Sequence, residues 1–184
     1  LNRHIRALSE RLVQGEPLTN NMLSWAKQHV EWSLAEGDYT AHDGVLMLVI
    51  DVNGNAAMTV GEYEPLADTS AKALRARSAE ARSEADETGV APELLAAVNN
   101  GELAFVAPAD ECLCGTATLI EQLAQTKGIP VTRVDIPAQL KGALFLVSDE
   151  HGVVPATETD AAEADAATVA FFADGYEKLR ARRS

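Results

Sequence analysis

The longest uninterrupted apolar stretch of the chain runs from Val45 to Ile50. Consecutive aliphatic and β-branched side chains, bounded by Gly44 and Asp51, predict a strand that is buried on both faces. The stretch is far shorter than the ~20 residues that cross a bilayer. We therefore expect a globular protein built around a sheet, with no transmembrane segment and no membrane partner.

Apolar residues recur at helical spacing before and after this strand. The segments 1–12 and 23–34 are predicted helices, and Thr19 is a good cap for the second. Ala71 to Thr88, closed by Gly89, predicts a long surface helix rich in alanine and charge. The same criteria predict helices at 119–127 and 169–179, strands at 56–60, 102–106, 129–134 and 143–147, and a loop at 98–101. The combination predicts an α+β fold.

A connector rich in turn-forming residues spans Gly61 to Pro65. We place a domain boundary there, which gives a small N-terminal domain of residues 1–64 and a larger C-terminal domain of residues 65–184. In the first of these domains, Trp25 and Trp32 lie on the apolar side of the second helix and are predicted core residues. His29 lies on the same side, and we interpret it as a hydrogen-bonded structural histidine rather than a ligand or a catalyst.

The charge of the chain limits its partners. With 15 basic and 28 acidic residues, the net charge is −13 at pH 7. Nucleic-acid binding requires a basic face, so we expect no nucleic-acid partner. The first residues do not form a basic and then apolar leader, and the prediction is a cytoplasmic protein.

Two cysteines, Cys112 and Cys114, are separated by one residue. That spacing strains a disulfide and supplies only half of a thiolate zinc site. We predict no disulfide and no metal, and we interpret both cysteines as small packed residues.

The strongest local signal for chemistry follows directly after these cysteines, where Gly115, Thr116, Ala117 and Thr118 precede an apolar helical pattern. A glycine at a helix start leaves backbone amides pointing outward, and these amides and the helix dipole suit an anion such as phosphate. The alternative is an ordinary helix start capped by Thr116. The segment alone leaves both interpretations open.

Read with its neighbours, the turn resembles that of the class IV aminotransferases. This pyridoxal-phosphate (PLP) family, with its fold-type IV architecture, includes branched-chain and D-amino-acid aminotransferases and aminodeoxychorismate lyase. The resemblance covers nearly the whole chain through loose motifs. These motifs are His4 to Leu8, Gly44 to Asp51, Lys72 with the downstream Glu93 to Leu95, the turn at Gly115 with Gly128 to Val131, and Phe145 to Pro155.

The resemblance implies a function and a set of roles. Lys72 would form the Schiff base with PLP and then act as general base and acid. Gly115, Thr116 and Ala117 would offer amides to the cofactor phosphate, with Thr118 and Ser148 beside them. The family further implies a homodimer, a C-terminal mixed-sheet pseudo-barrel, and amino-acid and keto-acid substrates for a transamination or an elimination.

The chain also departs from the family pattern. Ala7 and Thr118 stand where the family has arginines, and Asp149 stands where a threonine meets the phosphate. Asp149 would place a negative charge beside a dianion. Glu102 is the only carboxylate between Leu95 and Pro108 that could replace the family glutamate. The alternative prediction is therefore a degenerate, non-catalytic homologue that acts as a dimeric binding or structural module.

Overall fold

The computed structural model describes residues 1–37, 44–51, 53, 55–158 and 160–181, and it has the predicted mixture of helices and strands. The helices are α1 (Asn2–Ser9), α2 (Asn20–Glu36), α3 (Ala71–Thr88), α4 (Gly115–Thr126) and α5 (Glu163–Ala181), with a 3-10 helix at Pro137–Gln139. The strands are β1 (Leu12–Val13), β2 (Glu16–Pro17), β3 (Gly44–Ile50), β4 (Ala56–Glu62), β5 (Glu93–Asn99), β6 (Glu102–Val106), β7 (Val131–Val134), β8 (Ala143–Ser148) and β9 (Gly152–Pro155). The α+β prediction is confirmed.

Five strands form the main sheet, in the order β7-β6-β5-β8-β9. β5 lies at its centre and runs antiparallel to β6 and β8, whereas β6 and β7 are parallel. The predicted loop at 98–101 was too long, because β5 continues through Asn99 and only Asn100 and Gly101 form the turn. Both turn residues have positive φ, as a tight hairpin turn requires.

The helices cover the two faces of this sheet. Along β5, Leu94, Ala96 and Val98 pack into one apolar cluster, to which α4 and α5 contribute Ile120 and Phe172. The alternate residues of β5 and Leu74 of α3 belong to a second cluster. Since successive side chains of a strand point to opposite faces, α3 covers one face of the sheet and α4 and α5 cover the other.

The first predicted strand forms a separate two-stranded hairpin with β4. One face contributes Ile50 and Ala56 to a cavity that α2 also lines with Met22 and Trp25. On the other face, Met47 is 51% exposed and Val49 is 52% exposed, so the prediction of burial on both faces was wrong. Among the described residues, the hairpin is packed on one face, and the face that carries Met47 and Val49 is exposed.

Of the two tryptophans of α2 that were predicted to lie in the core, one is partly buried and the other is exposed. Trp25 is partly buried and stacks on the His29 ring, with ring centroids 4.1 Å apart. Trp32 is 57% exposed, because the segments that the structure describes place nothing over its side of the helix. The helix begins as predicted, with the Thr19 side chain accepting a hydrogen bond from the amide of Met22.

Three further findings concern membranes, the cysteines and metals. No described helix combines the length and the apolar character needed to cross a membrane. Cys114 is buried, Cys112 is partly buried, and both are free thiols. Across the described ranges, no group of three or more His, Cys, Asp or Glu side chains is placed to hold a metal ion.

Candidate functional site

α4 begins at Gly115 without a side-chain cap of its own. Cys114 precedes it in an extended conformation and makes no capping hydrogen bond through its side chain. Thr116, the predicted cap, instead lies inside the first turn and is 1% exposed. The interpretation of Thr116 as an ordinary cap is therefore wrong, and the first amides of the helix need another acceptor.

That acceptor is a carboxylate from the turn between β8 and β9. The amide of Thr116 donates to Oδ1 of Asp149 at 2.7 Å, and the amide of Gly115 donates to Oδ2 at 3.3 Å. His4 of α1 approaches the same carboxylate, with Nδ1 3.8 Å from Oδ1. The sequence predicted that Asp149 lies beside this turn, and the structure shows that it occupies the turn.

The surroundings of Asp149 favour its ionised form. Burial raises the pKa of Asp149, but His4 and the hydrogen bond from the amide of Thr116 outweigh it and hold the pKa below the ordinary 3.8. The N-terminal end of the α4 dipole acts in the same direction. The turn therefore holds a permanent negative charge at neutral pH.

The other residues predicted to bind the cofactor are engaged within the fold. Ala117 is fully buried in the core beneath the sheet. The Thr118 hydroxyl donates to the carbonyl of Gly115 at 2.8 Å and accepts from Arg3 at 3.2 Å. Ser148 is fully buried and donates to Glu93 at 2.9 Å. Their roles in binding a cofactor stay predictions.

Lys72 lies in the first turn of α3, with its side chain exposed. α3 covers the face of the main sheet opposite to α4. Thr69, just before the helix, accepts a hydrogen bond from the amide of Thr157, and the neighbouring Ala156 pairs with the beginning of β8. Asp149 follows the end of β8. The role of Lys72 in catalysis stays a prediction.

Arg77 is the cation of α3 that reaches the neighbourhood of Asp149. Its guanidinium lies 2.7 Å from a carboxylate oxygen of Glu93 and 3.0 Å from Nε2 of His151. The opposite ring nitrogen of His151 lies 3.4 Å from the hydroxyl of Tyr63. Sequence reasoning missed this polar cluster of Arg77, Glu93, His151 and Tyr63, because its members come from four separate segments. The only available signal was a charged residue, Glu93, that opens an aliphatic run.

The cleft beside Asp149 is small. It has a volume of about 140 Å³ and is lined by Gly44, Val45, Leu46, Tyr63, Asp149, Glu150, Tyr176 and Arg180. Small-molecule sites usually span ~300–1,000 Å³. The larger of the two, of about 440 Å³, lies between α2 and the β3–β4 hairpin, and none of the described residues that line it is ionisable. Neither cavity combines the volume and the charge that a phosphorylated cofactor needs.

The residues at the turn do not fit the phosphate of PLP. Both leading amides of α4 already donate to Asp149. A phosphate on the same amides would lie within a few ångströms of this carboxylate. Two like unit charges 4 Å apart repel by ~4 kcal/mol near a protein surface, and a phosphate dianion carries two. His4, which is charged only when protonated, lies 3.8 Å from the carboxylate, whereas Arg180 lines the cleft beside it and Arg3 bonds the hydroxyl of Thr118.

Comparison with known proteins relates the chain to others by structure and not by sequence. No family model matches the sequence, and no curated protein matches it. A hypothetical aminotransferase from Mycobacterium tuberculosis, solved with α-ketoglutarate and PMP, is 15% identical with a TM-score of 0.62, over 96% of this chain and 83% of that one. A candidate branched-chain amino acid aminotransferase from Thermotoga maritima is 16% identical with a TM-score of 0.58, over 95% and 78%.

A fold IV transaminase from Curtobacterium pusillum is 15% identical with a TM-score of 0.53, over 98% of this chain and 78% of that chain. These alignments span nearly the whole chain, at identities that carry information on architecture alone. The resemblance predicted from the motifs is thus confirmed at the level of the backbone. The chain has the fold of the fold-type IV aminotransferases.

Proposed function

We propose that this chain is a cofactor-independent relative of the fold-type IV aminotransferases that acts as a non-catalytic binding or structural module. The observation that carries the proposal is the carboxylate of Asp149 on the amides of Gly115 and Thr116. A turn that is already satisfied by an internal anion has no free donor pair for a phosphate. The exposed position of Lys72 and the small cleft beside Asp149 support the same conclusion.

A second candidate is a PLP-dependent aminotransferase or amino-acid lyase in which Lys72 carries the chemistry. The observation that favours it is the extent of the structural likeness, which reaches 96% of this chain for an aminotransferase with bound PMP and α-ketoglutarate. In this case the substrates are an amino acid and a keto acid. This candidate requires Asp149 to leave the turn before a cofactor enters.

A PLP titration separates the two candidates. The purified chain is incubated with PLP and reduced with borohydride, and the adduct is located by peptide mass analysis. The expected result is no stoichiometric adduct, and equal background labelling of Lys72 and of Lys141, another exposed lysine. One equivalent of adduct that disappears in Lys72→Ala and persists in Lys141→Ala would overturn the proposed function in favour of the enzyme.

We propose that the module is cytoplasmic and forms a homodimer. We also propose that each chain has two domains, which meet between residues 64 and 65. The exposed apolar side chains of Met47 and Val49 on the β3–β4 hairpin support self-association, because burial of such side chains drives protein interfaces. Sedimentation equilibrium of the chain and of Met47→Lys tests this proposal. We expect a dimer that dissociates in the variant, and a chain that stays monomeric at every concentration would contradict it.

A further inference from the structure

One histidine ring connects the β3–β4 hairpin to the main sheet. His151 lies in the β8–β9 turn, and its side chain is only 4% exposed. Its Nδ1 lies 3.4 Å from the hydroxyl of Tyr63, which directly follows β4, and the two ring centroids are 5.7 Å apart. The first residues of β3 and the β8–β9 turn also line the small cleft beside this contact. The attachment of the hairpin at this point therefore includes a titratable ring.

The contacts of this ring determine which of its nitrogens carries a proton. A guanidinium only donates hydrogen bonds, and Nη2 of Arg77 lies 3.0 Å from Nε2 of His151. Nε2 is therefore the unprotonated acceptor, which leaves the proton of the ring on Nδ1. Nδ1 faces the hydroxyl of Tyr63 and donates to it. The docked arrangement thus contains a neutral ring in one tautomer.

Charged and titratable groups surround the ring and the cleft beside it, and they come from every element packed there. They are Tyr63 after β4, Arg77 of α3, Glu93 of β5, Asp149 and Glu150 of the turn itself, Tyr176 and Arg180 of α5, and His4 of α1. The carboxylates of Glu93 and Glu150 favour a charged ring, whereas burial and the guanidinium of Arg77 oppose it. Burial and Arg77 prevail, and they lower the pKa of His151 below its ordinary 6.5.

A proton on Nε2 of His151 points an N–H at the N–H groups of Arg77, so one of the two side chains has to move. Arg77 is held in place, because its Nε lies 2.9 Å from Oε1 and 2.7 Å from Oε2 of Glu93. Glu93 is 7% exposed, and a buried carboxylate that loses its cation is strongly destabilised. A charged imidazole, in contrast, is stabilised by water once it leaves its buried position. The ring therefore moves, and its hydrogen bond to Tyr63 is lost.

We propose that His151 is a pH-sensitive latch, which holds Tyr63 and the end of the β3–β4 hairpin on the main sheet while the ring is neutral and releases them when it is protonated. The docked state binds fewer protons, so docking is strongest above pH 6.5 and weakens as the pH falls through the lowered pKa of His151. Docking weakens about tenfold for each pH unit by which this pKa lies below 6.5. The inference is independent of the proposed function, because it uses neither Lys72 nor the first amides of α4.

An NMR titration of the wild-type chain tests the latch. It runs from about pH 8 to about pH 5, above the range in which carboxylates ordinarily protonate. The Cε1 proton of His151 reports the protonation of the ring, and the methyl groups of Val45 and Leu46 in the cleft report docking of the hairpin. We expect these methyl groups to shift with the midpoint of His151, and the NOE between the rings of Tyr63 and His151 to disappear with it. The methyl groups of Ile120, in the apolar cluster of the main sheet, should not shift.

Two variants and two matched controls assign the transition to this ring. His151→Gln keeps an acceptor for Arg77 and does not titrate, so the cleft methyl groups should keep their docked shifts at every pH. Arg77→Gln removes the opposing guanidinium, so the midpoint of His151 should rise and the response of the methyl groups should shrink. Arg75→Gln is its control, because Arg75 lies on the same helix and bonds the carbonyl of Pro137 instead. His4→Gln removes the other imidazole near the cleft, and both controls should show the wild-type transition.

Three results would overturn the latch. In the first, the His151 ring titrates while the methyl groups of Val45 and Leu46 do not shift, which means that Arg77 moves and the hairpin stays docked. In the second, the transition of these methyl groups persists in His151→Gln or disappears in His4→Gln. In the third, a folded Arg77→Gln leaves the midpoint of His151 unchanged. If the Ile120 methyl groups show that Arg77→Gln is unfolded, the first two results still decide.

Discussion

Asp165 offers the clearest quantitative test of the packing that positions α5 on the sheet. It lies in the first turn of α5 and is 4% exposed. Its two carboxylate oxygens accept the amides of Asn100 at 3.0 Å and Gly101 at 2.9 Å, in the turn between β5 and β6. Replacing Asp165 with alanine removes both hydrogen bonds without placing a larger group in the core.

The size of the effect follows from these contacts. A hydrogen bond to a charged group contributes about 1.5–3 kcal/mol, which gives an upper bound of about 6 kcal/mol for two. Asn100 and Gly101 are exposed, so water takes over part of the bonding in the variant. The lost interaction with the α5 dipole adds about 0.3–1 kcal/mol. We therefore expect Asp165→Ala to lower the free energy of unfolding by about 2–4 kcal/mol.

Urea unfolding and thermal melting measure this change. For a chain of 184 residues, each kcal/mol corresponds to about 2–4 °C in Tm, so the expected drop is about 4–16 °C. Glu163→Ala is the matched control, because Glu163 lies in the same helical turn, is exposed and feels mainly the dipole. If Asp165→Ala were as mild as Glu163→Ala, the reasoning that these two hydrogen bonds stabilise the turn would be wrong.

Three further predictions concern pH, backbone conformation and thiol reactivity. Burial and a neighbouring guanidinium lower the pKa of His151 below 6.5, so the fold keeps the ring neutral and should lose stability as pH falls from 6.5 through that lowered value. His151→Gln should flatten this dependence in urea titrations. Gly152→Ala places a Cβ 2.3 Å from an aromatic ring at φ +72°, whereas Gly128→Ala at φ +69° meets nothing within 4 Å, so chemical denaturation should show a loss larger by about 1–3 kcal/mol at position 152. Burial raises the pKa of Cys114 well above its usual range and that of Cys112 less, so iodoacetamide and mass spectrometry should find Cys114 alkylated only after unfolding.

The helices were largely predictable because their signals are local. α3 has the predicted bounds, since Ser70 caps the amide of Ala73 and Gly89 ends the helix in a left-handed conformation. Each of these signals depends on residues within one or two turns of the helix. Whether these signals begin and end a helix does not depend on the face of the sheet that the helix covers.

Burial was less predictable, because it depends on layers that come from distant segments. The aliphatic pattern of β3 is the same as that of a strand covered on both sides, yet Met47 and Val49 are exposed. The equally aliphatic residues of β8 are fully covered, because α3 and α5 pack on opposite faces of the main sheet. A sequence window contains the strand and not its covering layers.

One part of the candidate site could be predicted from the sequence, and another part could not. The proximity of Asp149 to the Gly115 turn could be inferred from aligned motifs, because the fold preserves the order of its strands. The cluster of Arg77, Glu93 and His151 could not, since no motif links a mid-helix arginine to two strand ends. The sequence also gave no means to decide whether the turn was open or closed, which depends on the hydrogen-bond geometry of one carboxylate.

The proposed function combines a retained fold with altered chemistry, and one carboxylate would account for both. The main sheet is stabilised by aliphatic packing along β5 and β8, and Asp149 lies outside both apolar clusters. The first amides of α4 need an acceptor, and a tethered aspartate meets that need as well as a bound phosphate does. Exchanging a residue that contacts a bound anion for an aspartate therefore leaves the first amides of the helix with an acceptor. An architecture can then persist long after its site has closed, so the fold of this chain is weaker evidence for catalysis than the occupant of its glycine turn.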